Sequence, residues 1–177
     1  KIYVVPESKE KGRPDLLTLL TAKDITEEGV VQKPPAVKVT AFRTPHPPIM
    51  DNFAYRFETP DGVIVFSSDT AYNPKLAEFG RGADVLVHEA IYLPWVDRVA
   101  AGVKNGATLK KHLIDSHTSP ENVGRIADAA QVKVLVMSHL VPGEPVVTDA
   151  DWMNEARRTF KGRIIVARDL MELKLPL

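Results

Sequence analysis

The sequence predicts an α/β fold, and three observations carry that prediction. Apolar runs of strand length recur at Val63 to Ser67, Asp84 to His88, Lys133 to His139 and Arg163 to Ala167. Helix-start signals stand between them, and an alternating hairpin precedes them. The 177 residues are 44% hydrophobic and 26% charged, which suits a single domain over residues 1–177 and excludes disorder as the dominant state.

In chain order, Ile2 to Val5 reads as a short strand stopped by Pro6, Ser8 to Arg13 as a charged loop, and Asp15 to Ala22 as a helix. Lys23 to Pro35 is a surface connection with a short strand at Gly29 to Gln32. Val37 to Phe42 alternates apolar and polar residues, as does Phe53 to Glu58. The turn Pro60-Asp61-Gly62 then leads into Val63 to Ser67, completing a hairpin. Pro74 to Phe79 is a short helix, Asp84 to His88 a buried strand, and Leu93 to Ser116 a looser stretch. Ser119 before Pro120 caps a helix running to Ala130, and Thr148 with Asp151 resembles a capping box that opens a helix to Phe160. Two β-rich runs, Arg163 to Ala167 and Leu170 to Leu175, bracket Arg168-Asp169.

Charge narrows the function. Lys and Arg number 23 against 23 Asp and Glu, so no long-range attraction to a polyanion is built in, and a nucleic-acid or anionic-membrane binder is disfavoured. No apolar run approaches the roughly 20 residues of a spanning helix, and a soluble protein, cytoplasmic or exported, is expected. The absence of cysteine excludes disulfide scaffolds, thiol catalysis and thiolate-held zinc. Any metal site must therefore be built from His, Asp or Glu.

The informative fact is where those residues fall. His88 follows Asp84-Val-Leu-Val, His139 follows Lys133-Val-Leu-Val-Met-Ser, Asp69 follows Val63-Ile-Val-Phe-Ser-Ser, and His46 lies just beyond Phe42. Strands that share a direction open their carboxyl ends onto one crevice, where side chains from distant positions converge. A His and Asp cluster there suits a hydrolytic zinc, manganese or iron site. Taken singly, each residue has a plainer reading: a lone histidine is more often structural, Asp69 could cap its own turn, His117 could simply precede a helix cap, and His112 is surface. Glu89 could orient a neighbouring histidine or only sit at a rim.

As an ordered set, these motifs resemble the metallo-β-lactamase superfamily, in the branch shared by ribonuclease Z and arylsulfatase-like hydrolases. The carriers are His46 followed by Asn52-Phe-Ala-Tyr-Arg-Phe57, Ser67-Ser-Asp69-Thr70, Ala83-Asp-Val-Leu-Val-His-Glu-Ala90, His117-Thr-Ser, Val134-Leu-Val-Met-Ser-His139, and Val166-Ala-Arg-Asp169. The resemblance implies that His46 ligates one metal, Asp69 bridges two, and His139 ligates the second. It implies His117 as proton donor or oxyanion stabiliser, with His88, Glu89 and Thr70 supporting the ligands from behind. The cofactors implied are two divalent ions, zinc first, with manganese or iron as alternatives. The bridged ions would ionise a shared water near neutral pH, and the resulting hydroxide would attack an ester.

Departures from the pattern set further expectations. The superfamily's His-x-His-x-Asp-His loop is absent, and Ser68 stands where glycine is common. Leu140-Val-Pro-Gly-Glu144 replaces the Ser-x-Arg-Tyr element of ribonuclease Z. The fold implied is an αβ/βα sandwich of which this chain resembles the carboxyl-terminal half plus a linking region, with the amino-terminal half or a second chain supplying the remaining ligands. An exposed apolar face, self-association and weak metal binding by the chain alone are expected. A small ester (sulfate, phosphate, phosphodiester or lactone) is the first substrate reading, with Tyr92 and Trp95 lining an apolar leaving-group site or merely packing under their loop. An RNA-processing nuclease and a non-catalytic half-domain are the alternatives.

Overall fold

In the computed structural model, residues 24–143 and 146–175 are described. The early strand and helix expected at Ile2 to Val5 and Asp15 to Ala22 lie outside them. Seven strands form one sheet in chain order: β1 (Gly29–Gln32), β2 (Lys38–Arg43), β3 (Phe53–Thr59), β4 (Gly62–Phe66), β5 (Val85–Ile91), β6 (Val134–Val141) and β7 (Arg163–Val166). The first four are an antiparallel meander, because Thr59 and Gly62 close a turn too tight for any crossover. From β4 onward every pairing is parallel, and helices fill the connections. These are α1 (Leu76–Phe79), then α2 (Leu93–Ala101), α3 (Gly106–Ser116) and α4 (Pro120–Ala130) in a row, and finally α5 (Asp149–Ala156).

This topology decides the geometry of the site. Since β2 is antiparallel to β3 and β3 to β4, β2 runs the same way as the parallel block. The carboxyl ends of β2, β4, β5 and β6 therefore lie along one edge of the sheet.

Alternation divides the sheet into two faces. Val65, Leu86, Ala90, Leu135, Met137, Ile164 and Val166 point to one side, where they join Val123, Ile126, Ala127 of α4 and Trp152 and Ala156 of α5 in the main core. Ile64, Val85, Val87, Val134, Val136 and Ile165 point to the other, where a smaller cluster packs with Ala167 and Leu175. Helix boundaries follow local chemistry: Ser119 Oγ accepts from the Asn122 amide with Pro120 in the first turn, and Thr148 with Asp151 forms a reciprocal capping box.

Two expectations are corrected. Leu93 to Ser116, expected to be loose, forms two helices joined through Gly102 and Gly106. Gly106 is required there because any Cβ would meet the Ala100 carbonyl. Leu170 to Leu175 has the side-chain alternation of a strand but pairs with nothing among the described residues; instead Leu173 and Leu175 lie against the sheet face. A smaller difference is that α5 ends at Ala156 rather than at Phe160.

Candidate metal centre

Four loops or strand ends carry the candidate side chains to the same edge. His46 comes from the β2–β3 connection and Asp69 from the turn after β4. His117 bridges α3 and α4 in extended conformation. His139 is delivered by an irregularity: Glu89 pairs with Ser138 and Ala90 with Leu140, so His139 is a bulged surplus residue. Its φ of 44° turns the side chain out of the ladder.

The four converge on one carboxylate. His46 Nε2 lies 3.1 Å and His139 Nε2 3.3 Å from Asp69 Oδ2, and His117 Nδ1 lies 2.8 Å from Asp69 Oδ1. The His46 and His117 rings meet edge to face at 5.9 Å, and the His117 and His139 rings stack at 6.0 Å. Ligand atoms of His46, Asp69 and His117 all fall within 4.8 Å of one another. His139, 59% exposed, is the outermost of the four.

The donor set fits a divalent cation. Asp69 Oδ1 is buried yet has no hydrogen bond, although His117 Nδ1 is close, because that nitrogen aligns with Glu89 Oε2 (3.2 Å) instead. An unsatisfied carboxylate oxygen thus lies within ligand distance of imidazole nitrogens, the oxygen and nitrogen donor types that a hard or borderline ion takes. Burial alone would raise the Asp69 carboxyl, but His117 foremost, then His139 and His46, hold it below the usual range.

Behind the cluster sits a His117–Glu89 pair. Glu89 is almost fully buried, and its Oε1 accepts from the Thr118 amide (2.6 Å) while Oε2 faces His117. Burial pushes Glu89 up, with His117 opposing. Burial by itself would depress His117, but the Asp69 and Glu89 carboxylates beside it raise it to about 9. With Nδ1 committed to Glu89, Nε2 is the atom through which His117 would exchange a proton.

Polar ties lock these loops together. Asn52 Nδ2 donates to the Asp69 carbonyl (2.7 Å) and to Thr44 Oγ1 (2.8 Å), and the Ala71 amide donates to the Pro45 carbonyl (2.8 Å). Thr118 Oγ1 donates to the Thr70 carbonyl (2.8 Å). Ser68, left-handed at φ 56°, is braced by its hydroxyl donating to the Phe53 carbonyl (2.6 Å). Asn52 and Thr118 stand in the sequence only as members of the Asn52–Phe57 and His117-Thr-Ser motifs, with no site role of their own; Ser68 in a glycine position was the one visible sign of this strained turn.

The remaining candidates stand outside the ligand cluster. His88 is fully buried on the helix side of β5, its Nδ1 donating to the Glu89 carbonyl (2.7 Å), so it is a core residue rather than a strand-end donor. Thr70 is buried and donates to the Ala71 carbonyl (2.8 Å). Tyr92 and Trp95 pack against the main core, Tyr92 edge-on to Trp152 at 5.5 Å, which is the packing alternative. The aromatic residues in the clefts at the centre are Phe42 and Tyr72 beside His46, and Phe66 beside Asp69 and His139.

Solved structures share this architecture. The metallo-β-lactamase fold protein YhfI of Bacillus subtilis matches with TM-score 0.59 and 21% identity, over 77% of this chain and 49% of that one. Zn(2+)-bound PqqB of Methylobacterium extorquens matches with TM-score 0.60 and 17% identity, over 86% and 55%. The fold is that of the metallo-β-lactamases. Human tRNase Z, short form, matches with TM-score 0.54 and 19% identity, over 84% of this chain and 46% of that one. By sequence the chain is 29% identical to ribonuclease Z of Mycobacterium tuberculosis over 139 residues, 78% of this chain and 49% of that protein. It is 28% identical over 148 residues to ribonuclease Z of a Mycobacterium species, 84% and 50%. The chain thus spans about half the length of the curated relatives it matches, and no family model matches it. No helix of the described residues is long and apolar enough to cross a membrane.

Proposed function

We propose that the protein to which this chain belongs is a metal-dependent phosphodiesterase of ribonuclease Z type that hydrolyses RNA. The observation that carries this reading is the convergence of His46, His117 and His139 on the one carboxylate of Asp69, in a chain whose relatives over most of its length are ribonucleases Z. The sequence put a small ester first and RNA second; the relatives favour the reverse order. Zero formal charge keeps a smaller phosphodiester as the second reading, since polyanion affinity rests on cationic side chains.

His46, Asp69 and His139 would hold the cations, with further ligands coming from polypeptide outside these residues. Bound divalent ions, zinc, manganese or iron, would supply a water ionised near neutral pH and charge to offset the phosphate. His117, held in one orientation by Glu89, gives its Nε2 proton to the leaving oxygen as the P–O bond breaks. Glu89 balances the imidazolium before transfer and keeps its ring fixed. The Asn52 and Thr118 ties keep the donor loops in register, so little reorganisation is needed on binding.

The test uses the full-length protein stripped and reloaded with each metal, assayed on a transfer-RNA precursor with a 3′ extension and on methyl nitrophenyl phosphate. Metal-dependent cleavage is expected, with His117→Ala lowering kcat by roughly a hundredfold or more. Hydrolysis of sulfate or carboxylic esters with neither phosphodiester cleaved overturns the reading.

A further inference from the structure

The His46 and Asp69 loops leave the sheet side by side, tied by the Ala71 to Pro45 bond, and between them opens a cleft of about 550 Å³ that His46 itself lines. Each loop pushes exposed apolar side chains into it. Met50 (79% exposed) and Ile49 come from the first, and Tyr72 (42%) from the second. Its floor is Phe42, stacked on Phe79 at 5.0 Å. The charges are unequal in availability. Arg43 is consumed by Asp51, the Met50 and Thr26 carbonyls and the Phe53 ring, and Glu28 by the Arg43 amide. Lys75, exposed at the rim, pairs with no carboxylate among the described residues.

A rigid aromatic face, a flexible thioether and one free ammonium, directly beside a candidate metal ligand, match a flat heteroaromatic ring carrying a phosphate. We propose that this cleft binds the nucleoside adjoining the scissile phosphate, its base laid against Tyr72 and covered by Met50, with Lys75 paired to the flanking phosphate. The proposal rests on the phosphodiesterase reading. It explains why apolar side chains are left exposed at this spot: the substrate covers them. It also assigns tolerance among bases, because stacking uses the π-face every base has and Lys75 offers a point charge rather than a base-reading fork.

The test compares two substrates in the full-length, metal-loaded protein: thymidine monophosphate nitrophenyl ester and methyl nitrophenyl phosphate. They share the phosphodiester and leaving group and differ in the nucleoside. Tyr72→Ala should cut the preference for the nucleoside ester roughly tenfold, through KM rather than kcat. Tyr72→Phe should retain that preference, because the ring remains. Lys75→Ala should make the salt dependence of oligonucleotide binding shallower by about 0.7 in log–log slope. A wild-type protein without nucleoside preference, or one whose preference survives Tyr72→Ala, overturns the subsite and leaves the phosphodiesterase reading standing. If neither ester is cleaved, the transfer-RNA precursor alone judges the phosphodiesterase reading, and calorimetry with adenosine monophosphate decides the cleft. Binding weakened by Tyr72→Ala and by Lys75→Ala supports it; no binding, or binding indifferent to both, overturns it.

Discussion

Along β5, Leu86, His88 and Ala90 point into the helix layer and are wholly buried, whereas Val85 and Val87 face the opposite side, where the only cover among the described residues is the segment after β7. On that second side Phe66, Met171 and Leu173 all stay more than a third exposed. The same alternation of apolar residues thus yields a finished core on one face and a thinly covered one on the other. The difference teaches that the sheet is patterned for two layers while the described residues supply one. Parallel strands are ordinarily covered on both faces, and the chain spans about half the length of the curated relatives it matches.

The contrast makes graded predictions. Trp152→Ala, at the centre of the covered face, should cost about 3–5 kcal/mol, read as a shift in denaturant midpoint; a cost below about 1 kcal/mol would mean that this face is not the main core. Acid should act through the same face. Burial pushes His88 down to about 4, against an ordinary value near 6.5. Between those pH values the unfolded chain takes a proton that the native one refuses, so stability falls as pH drops from about 6.5 to about 4, by about 3 kcal/mol in all. Urea titrations of the wild type and His88→Gln at pH 7.5 and pH 5 isolate the effect, because the variant should lose that part of the pH dependence. Next in size is Gly124→Ala. The new methyl would press on the Ala156 carbonyl and Thr159 hydroxyl where α4 meets α5, costing about 1–3 kcal/mol as measured by thermal unfolding. The smallest change in stability, within about 0.5 kcal/mol, is expected for Phe66→Ser on the thinly covered face. That variant should instead reduce self-association in sedimentation velocity, and a wild-type chain that is monomeric at high concentration would erase the distinction between the faces.

Much of this fold could be read from the sequence where local chemistry and periodicity agree. Ser119-Pro120 marks the start of α4, and Thr148 with Asp151 marks the start of α5. The β2–β3–β4 meander is visible in its alternation and in Pro60-Asp61-Gly62. α2 and α3 were hidden because neither begins with a side-chain cap, most of α3 is exposed, and Gly102 and Gly106 look like a loop until the tight approach to Ala100 is known. Leu170 to Leu175 has a strand's pattern, but a strand is completed only by a neighbour, which no single run of residues can reveal. At the site, strand-end placement disclosed that His46, Asp69 and His139 would meet. His88 misled because a histidine late in an apolar run looks the same whether it faces solvent or core; the face is set by register. Asn52 and Thr118 were invisible for a similar reason, since their bonds cross from one loop to another.

The bulge in β6 has a consequence for insertions and deletions. Ser138 and Leu140 already pair with consecutive residues of β5, so the ladder has no use for the residue between them. Removing residue 139 outright should let the strand close up with every flanking side chain still on its own face. The length of β6 is therefore fixed by what His139 reaches and not by the pairing it interrupts. A one-residue deletion becomes a cleaner way than substitution to take this imidazole out of the cluster.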